Sequence, residues 1–169
     1  MQSSGNGLSI ADLREWDLPA ALSIYNDVIA TTTAVYSEAP VTADYWAGWF
    51  AARRSRGLPV LGAYQDGELI GFGSFGEFRP WPCYETTVEH SIHIRADRRR
   101  QGAGTRLVQS LMERAAGAGK HVMIAGIDAE NLSSLALHAK LGFIEVGRLP
   151  AVARKFGRWL DLVYLHRKL

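Results

Sequence analysis

Two features of this chain are placed for chemistry. The first is the run Arg99-Arg100-Gln101-Gly102-Ala103-Gly104, which follows the apolar stretch Ile92 to Ile94 and opens the helix-like stretch Thr105 to Ala116. Strand, glycine loop and helix in that order make an anion cradle. Glycine lets the backbone approach closely, the first N–H groups of a helix have no intrahelical partner, and the helix dipole favours negative charge there. Arg98 to Arg100 add positive charge beside it. A dinucleotide fingerprint would need a third glycine where Leu107 stands, and a Walker loop would need Gly-Lys-Ser/Thr where the chain has Gly104-Thr105-Arg106; neither fits. Taken alone, the run reads either as a pyrophosphate loop or as an ordinary basic turn.

The second feature is a set of titratable groups. Glu89 lies within Thr86 to Ile94, which otherwise reads as an apolar strand. A carboxylate there is costly unless it is paired with an arginine or functional. His138 follows Asn131 by seven residues, about two helical turns, so both fall on a similar face; the competing reading is a helix histidine facing solvent. His90 and His93 are three apart in a strand and point to opposite sides, so no metal site is expected. Cys83, beside Pro82, lacks a triad-like set of partners, so no acyl-cysteine is expected.

The elements that must position these groups follow from periodicity and punctuation. Leu8 to Asp12 reads as a short strand, and Glu15 to Ala30 as a helix with Trp16, Ala20, Ile24 and Val28 at helical spacing, ended by Thr31-Thr32-Thr33. A second helix runs from the N-cap Thr42 to Arg56, stopped by Gly57 and Pro59. Val60 to Gln65 and Glu68 to Phe75 flank Asp66-Gly67, a hairpin signal. Gly76 to Glu85, with three aromatics and two prolines, reads as a binding loop. The strand Thr86 to Ile94 comes next, then a helix from Gly104 to Gly117 with Leu107, Val108, Leu111, Met112 and Ala115 on one face. A buried strand Val122 to Ile127, a short helix Asn131 to Leu141, and closing strands Phe143 to Leu149 and Trp159 to Leu165 complete the chain. This order predicts an α/β (α+β) fold, a mixed sheet of six or seven strands with helices on both faces.

With 169 residues and 47% hydrophobic content, one domain over residues 8–169 is expected, after a frayed polar start at residues 1–7. A net charge of +2, with arginines gathered at one loop, argues against nucleic acid. A single cysteine precludes an internal disulfide, no apolar run reaches a membrane span, and the first residues lack the pattern of a signal peptide, so a cytoplasmic protein is expected.

Arg99-x-x-Gly102-x-Gly104 resembles the pyrophosphate loop of the GNAT N-acetyltransferases, which draw acetyl groups from coenzyme A. The strand Val88 to Ile94, the strand Val122 to Ile127, Asn131 and Leu141-Gly142-Phe143 follow the order of that superfamily. Ile24-Tyr25-Asn26, Thr31 to Pro40, Val60 to Ala63, Phe78-Arg79-Pro80, Thr87-Val88-Glu89-His90-Ser91, His138-x-x-x-Gly142-Phe143 and Lys155-Phe156-Gly157-x-Trp159-x-Asp161 extend the likeness. Together they make the chain similar to the phosphinothricin and methionine sulfoximine acetyltransferase subfamily from Ile10 to Leu165.

The resemblance implies a GNAT fold with a splayed strand at the acetyl-CoA site, direct transfer to an α-amine in a ternary complex, a detoxification role and a homodimer. It implies that coenzyme runs along Ile92, His93 and Ile94, with its pyrophosphate on the amides of Arg100, Gln101, Gly102, Ala103, Gly104 and Thr105. Asn131 is then a pantetheine contact or simply an N-cap, and Lys140 a phosphate contact or a solvated lysine. Acetyl transfer to an amine needs a base for the protonated nitrogen and stabilisation of the oxyanion. The resemblance points to Glu89 as base, with His138 sharing that role or supplying the departing thiolate with a proton. Arg79, Pro80 and Trp81, with Glu89, His90 and Ser91, are implied to line the acceptor site, Arg79 as a guanidinium fork for a carboxylate. Phe78, Trp81 and Tyr84 would wall it, and Tyr36 and Lys155 to Trp159 would help close it, in part across a dimer interface. Trp81 is bulkier than the phenylalanine expected there. The competing functions are acetylation of another amine (a polyamine, an aminoglycoside or a protein N-terminus) and non-catalytic acyl-CoA sensing; the basic, aromatic loop Phe78 to Tyr84 argues against a cationic acceptor.

Overall fold

The computed structural model describes residues 7–169; the expected frayed start lies outside the described residues except for Gly7. Seven strands form one sheet in the order β1-β2-β3-β4-β5-β7-β6: β1 Leu8–Asp12, β2 Val60–Gln65, β3 Glu68–Glu77, β4 Thr87–Ile94, β5 Val122–Asp128, β6 Ile144–Lys155 and β7 Arg158–Lys168. Four helices accompany it: α1 Leu18–Thr31, α2 Ala43–Ser55, α3 Ala103–Gly117 and α4 Leu132–Lys140. The expected mixed sheet with helices on both faces is the observed one. Leu107, Val108, Leu111 and Ala115 of α3 pack on Val88, Met123, Ala125 and Val163 on one face. On the other, Ala21 and Ile24 of α1 and Trp46 and Phe50 of α2 cover Tyr64 and Phe72.

All neighbouring strands are antiparallel except β4 and β5, which run parallel and pair only over Thr87–Glu89 against Val122–Ile124. Beyond Glu89 the two strands part, while β4 stays paired to β3 as far as Ile94. That leaves the β5-facing backbone edge of residues 90–94 without a ladder, which is the splay expected from the resemblance.

Three local readings need correction. The first helix starts at Leu18 after a 3₁₀ turn at Glu15–Asp17, because Pro19 has no N–H to give and belongs in a first turn. The turn shifts the phase, so the buried stripe is Ala21, Ile24 and Val28, while Trp16 is 74% exposed beneath the Arg14 guanidinium. The closing strands are longer than expected and meet in a two-residue hairpin at Phe156-Gly157, both at positive φ (52° and 75°), the geometry of a type I′ turn. Pro150 lies inside β6. However, β6 is an edge strand, where a missing N–H costs no ladder bond, and its irregularity between Leu149 and Ala153 is held by Asp161 Oδ1 accepting from the Ala151 N–H at 2.8 Å.

Candidate active site

The cradle is built as its residue types require. Arg100 (φ 61°) and Gly102 (φ 90°) turn the backbone in the left-handed region just before α3, and a Cβ on Gly102 would meet nothing within 4 Å. No side chain caps the start of α3, so its first amides are free to receive an anion. They open onto a cleft of ≈ 750 Å³ between the splayed strand, α4 and the end of α1. Of the residues expected to hold coenzyme, Ile92, His93, Ile94, Arg100, Gly102, Gly104, Thr105, Asn131 and Lys140 line this cleft. Gln101 and Ala103 do not. Gln101 is exposed with its amide turned back to the Asp97 carbonyl oxygen (3.4 Å), and Ala103, the first residue of α3, is buried.

The cleft is cationic. Arg98, Arg99, Arg100, Lys140 and Arg158 line it against one carboxylate, Glu130, which is already paired with Arg158. Arg98 Nε is buried without a hydrogen-bond partner among the described residues, the Asp97 carboxylate standing 3.7 Å away. A donor set of this kind, with free helix amides and an orphaned guanidinium N–H, fits a pyrophosphate. Asn131 is the N-cap of α4, its Oδ1 accepting from the Ser134 N–H at 3.2 Å, and it lines the cleft as well.

Alternation along β4 divides the expected reacting groups. Val88 and His90 face α3 and α4, whereas Glu89, Ser91 and His93 face the α1–α2 side. His90 therefore does not join Glu89 and Ser91 in one acceptor wall, and Glu89 and His138 do not meet. His138 is not a solvent-facing helix residue; it is 2% exposed, stacked on His90 and edge-on to Phe143. Its Nδ1 lies 2.7 Å from the Ser134 carbonyl oxygen. That contact requires the proton on Nδ1, so His138 Nε2 accepts from His90 Nε2 at 3.1 Å. His90 Nδ1 is left buried without a partner among the described residues.

Burial holds both strand histidines neutral, pushing His90 down to about 3, helped by His138 and His93, and His93 down to about 4. In the unfolded chain both titrate near 6.5. Their folded values lie lower, so the unfolded state takes up more protons as pH falls, and stability is full above about 6.5 and lost progressively toward 4. Thermal melts at pH 7.5, 6 and 5 are expected to show a falling Tm, reflecting a stability loss of up to about 1.4 kcal/mol per pH unit for each histidine, with His93→Phe reducing the slope. A Tm flat across this range would contradict it.

Glu89 occupies the last rung before the splay. Gly126, two residues beyond its partner on β5, makes room for it: a Cβ there would lie 3.1 Å from Glu89 Oε1. An isolated glycine in a buried strand signals such a close approach, and this one was legible but passed over. Burial pushes the Glu89 carboxyl above the ordinary glutamate range, and the Arg79 guanidinium pulls it the other way. Arg79 is exposed, folded over the Phe78 ring (4.2 Å) and donating to the Phe78 carbonyl oxygen. Phe78 in turn contacts Tyr84 and Tyr164 edge-on. Pro80 is exposed and Trp81 is 67% exposed, so the expected third wall of this pocket is open. The Tyr36 hydroxyl, 3.3 Å from the Asp161 carbonyl oxygen and 3.5 Å from Asp128 Oδ2, is pushed up to about 12 by burial and by the Asp128 and Asp161 carboxylates. Asp128 itself is buried and accepts from the Glu130 N–H at 2.8 Å, shaping the turn into α4.

Lys155 plays a part that sequence reasoning did not assign. Its buried ammonium donates to the carbonyl oxygens of Ile29 (2.7 Å), Thr32 (2.6 Å) and Val35 (2.8 Å). It thereby closes the C-terminal end of α1, where positive charge is favoured, and fixes the Thr31–Ala34 wall of the cleft.

Residues 21–143 match the family described as Acetyltransferase (GNAT) family. The L-methionine sulfoximine/L-methionine sulfone acetyltransferase of Pseudomonas paraeruginosa (strain DSM 24068 / PA7) is 45% identical over 162 residues, covering 95% of this chain and 94% of that protein. The crystal structure of an N-acetyltransferase from Staphylococcus aureus Mu50 superposes with a TM-score of 0.94 at 40% identity, covering 95% of this chain and 98% of that one. A GNAT superfamily phosphinothricin acetyltransferase from Sinorhizobium meliloti, solved in complex with AcCoA, superposes with a TM-score of 0.93 at 32% identity, covering 96% and 89%.

Proposed function

The chain belongs to the acetyltransferase (GNAT) family and is an N-acetyltransferase, and from that premise we propose that it moves the acetyl group of acetyl-CoA directly to the α-amine of a small amino-acid analogue, of the L-methionine sulfoximine, L-methionine sulfone or L-phosphinothricin type. The observation that carries this reading is the position of Glu89, at the apex of the splay, with the cationic cleft along the parted edge of β4 and Arg79 on the open face.

The α3 amides and Arg98 to Arg100 hold the pyrophosphate, and the unpaired edge of residues 90–94 holds the pantetheine amides, with Asn131 and Lys140 beside it. Bound there, acetyl-CoA would supply the acetyl thioester, with the coenzyme A thiolate as leaving group. Glu89, ionised, takes one proton of the ammonium group and leaves a neutral nitrogen facing the splay; as this nitrogen bonds to the acetyl carbonyl carbon and the C–S bond breaks, its second surplus proton passes to the departing thiolate. Arg79 swings from the Phe78 carbonyl to the acceptor carboxylate, which fixes the nitrogen against Glu89. The His90–His138 pair lies behind β4 and carries no surplus proton when neutral; we assign it the support of the strand at the splay. Tyr36 and the open side at Pro80 and Trp81 complete the acceptor site. A homodimer fits the exposed apolar residues Ile144, Val146 and Val152 carried by edge strand β6. Detoxification of the acceptor in the cytoplasm is the biological role this chemistry suits; among the described residues no helix is long and apolar enough to cross a membrane.

The reading is tested by acetyl-CoA-dependent thiol release with L-methionine sulfoximine, L-methionine sulfone, L-phosphinothricin, a polyamine and an aminoglycoside, each product checked by mass. Turnover confined to the first three is expected; turnover of the cationic amines instead would overturn it. Arg79→Ala is expected to raise the acceptor KM by roughly 10- to 100-fold, the scale of a lost charge-assisted contact, with little change in coenzyme affinity. The Arg79 guanidinium also holds the Glu89 carboxyl down, so the acid limb of the rate profile should move to higher pH in the same variant. An unchanged KM would place the carboxylate clamp elsewhere.

A further inference from the structure

The row Glu89, Ser91 and His93 leads along the open face of β4 into an aromatic hollow of ≈ 580 Å³ between α1, α2 and β3–β4. Trp46 is stacked between Tyr25 (5.0 Å) and Trp49 (4.7 Å), and Phe72 meets it edge-on at 5.5 Å. The polar end of the hollow is Arg53, half-buried over the Trp49 ring. Its Nη1 donates to Ser74 Oγ (2.9 Å) and to the Phe75 carbonyl oxygen, and among the described residues no carboxylate pairs with it.

Arg53 stands on the same face as Glu89. Gly76, the cross-strand partner of Glu89, turns its open side to this guanidinium, and a Cβ there would lie 3.1 Å from Nη1. The hollow contains no aspartate or glutamate. Ser91, whose hydroxyl is exposed, also lines it. A guanidinium is a donor only. The hollow is therefore walled largely by aromatic rings and carries at one end a guanidinium that no carboxylate neutralises, which suits a ligand with methylene or methyl groups and exposed oxygens.

We propose that this hollow is the side-chain subsite of the acceptor, and that Arg53 is a specificity-determining residue which binds a tetrahedral oxo head group, a sulfone, sulfoximine or phosphinate, at the δ position of the amino acid. The inference rests on the N-acetyltransferase reading above and deepens it. Glu89 and Ser91 are two residues apart, about 6.6 Å along a strand, a span that an acceptor with its amine at Glu89 and its δ atom near Ser91 covers. Arg79 takes the α-carboxylate on the other side of Glu89, leaving Arg53 for the oxygens of the head group. The aromatic walls take the intervening carbons. Amino acids of the same length without the oxygens satisfy the walls and leave the donors unpaired, which is the arrangement by which a site rejects them.

The test compares L-methionine sulfone with L-methionine, which has the same chain and no oxygens on sulfur. The wild type is expected to favour the sulfone in kcat/KM. Arg53→Met should lower the sulfone value about 10- to 100-fold, mainly through KM, the fold-change of one lost charge-assisted hydrogen bond, while L-methionine changes by no more than about twofold; Arg53→Lys should restore part of the loss. Ser91→Ala removes only an exposed hydroxyl and should give a smaller loss of the same preference, which keeps the test decisive if Arg53→Met does not fold. Equal losses on both acceptors in Arg53→Met would make Arg53 a purely structural residue and overturn the proposal, as would a wild type indifferent to the pair. Acetyl-CoA binding without turnover of any amine would instead defeat the functional reading, and this inference with it.

Discussion

Glu89→Gln is expected to lower kcat by roughly 10²–10⁴, the range for loss of a general base, while acetyl-CoA affinity stays near that of the wild type. Glutamine has the shape of the side chain it replaces and still fits against Gly126, where a Cβ would have crowded Oε1 at 3.1 Å, so the loss reports chemistry rather than folding. The pH profile supplies a second readout. Burial raises the Glu89 carboxyl above the ordinary range, with Arg79 opposing. The wild-type rate should therefore fall as pH drops through a value above that of a free glutamate, because the base is lost on protonation, and this limb should be absent in the variant. An unchanged kcat would remove Glu89 from the mechanism and turn attention to ordered water or the substrate's own carboxylate.

Lys155→Met is expected to cost about 2–4 kcal/mol of stability, since it removes a charged donor from three carbonyl oxygens at once. For a chain of this length each kcal/mol moves Tm by roughly 2–4 °C, so a drop of roughly 5–15 °C should appear in a thermal melt. The same change should weaken acetyl-CoA binding, because the freed segment Thr31–Ala34 is a wall of the cationic cleft, and saturating coenzyme should recover part of the lost Tm. Phe156 N–H donating to Glu38 Oε1 (2.6 Å) remains as a second tie between the β6–β7 hairpin and this segment. A Tm within about 2 °C of the wild type would show that the three carbonyls find other donors and that the lysine is not what holds the wall.

Several features were legible because their causes are local. The Arg99 to Gly104 loop, the Asn131 cap and the Asp66-Gly67 turn depend on neighbours within a few residues, where residue type and backbone conformation are directly coupled. The helix phase at Trp16 was misread because a 3₁₀ turn, undetectable in a periodicity count, intervenes before Leu18. The full length of β6 was not legible because nothing in the local sequence says that a strand carrying Pro150 lies at the sheet edge, where a ladder does not need its N–H.

The order of elements, the anion cradle at the start of α3 and the separation of His90 from His93 could be read from residue spacing, since strand alternation and helix-end chemistry are local. Which polar residues from different elements come together depended on the folded chain. Glu89 and Gly126 meet across β4 and β5, and Arg53 reaches the same face from α2 beside Gly76. His138 pairs with His90 behind that sheet, 48 residues away. The lysine that fixes the cleft wall finds its acceptors 120 residues or more back along the chain. Such meetings depend on how far a strand pairs before it splays and on which helix covers which face, and these are set by packing of the whole chain rather than by any short stretch of it.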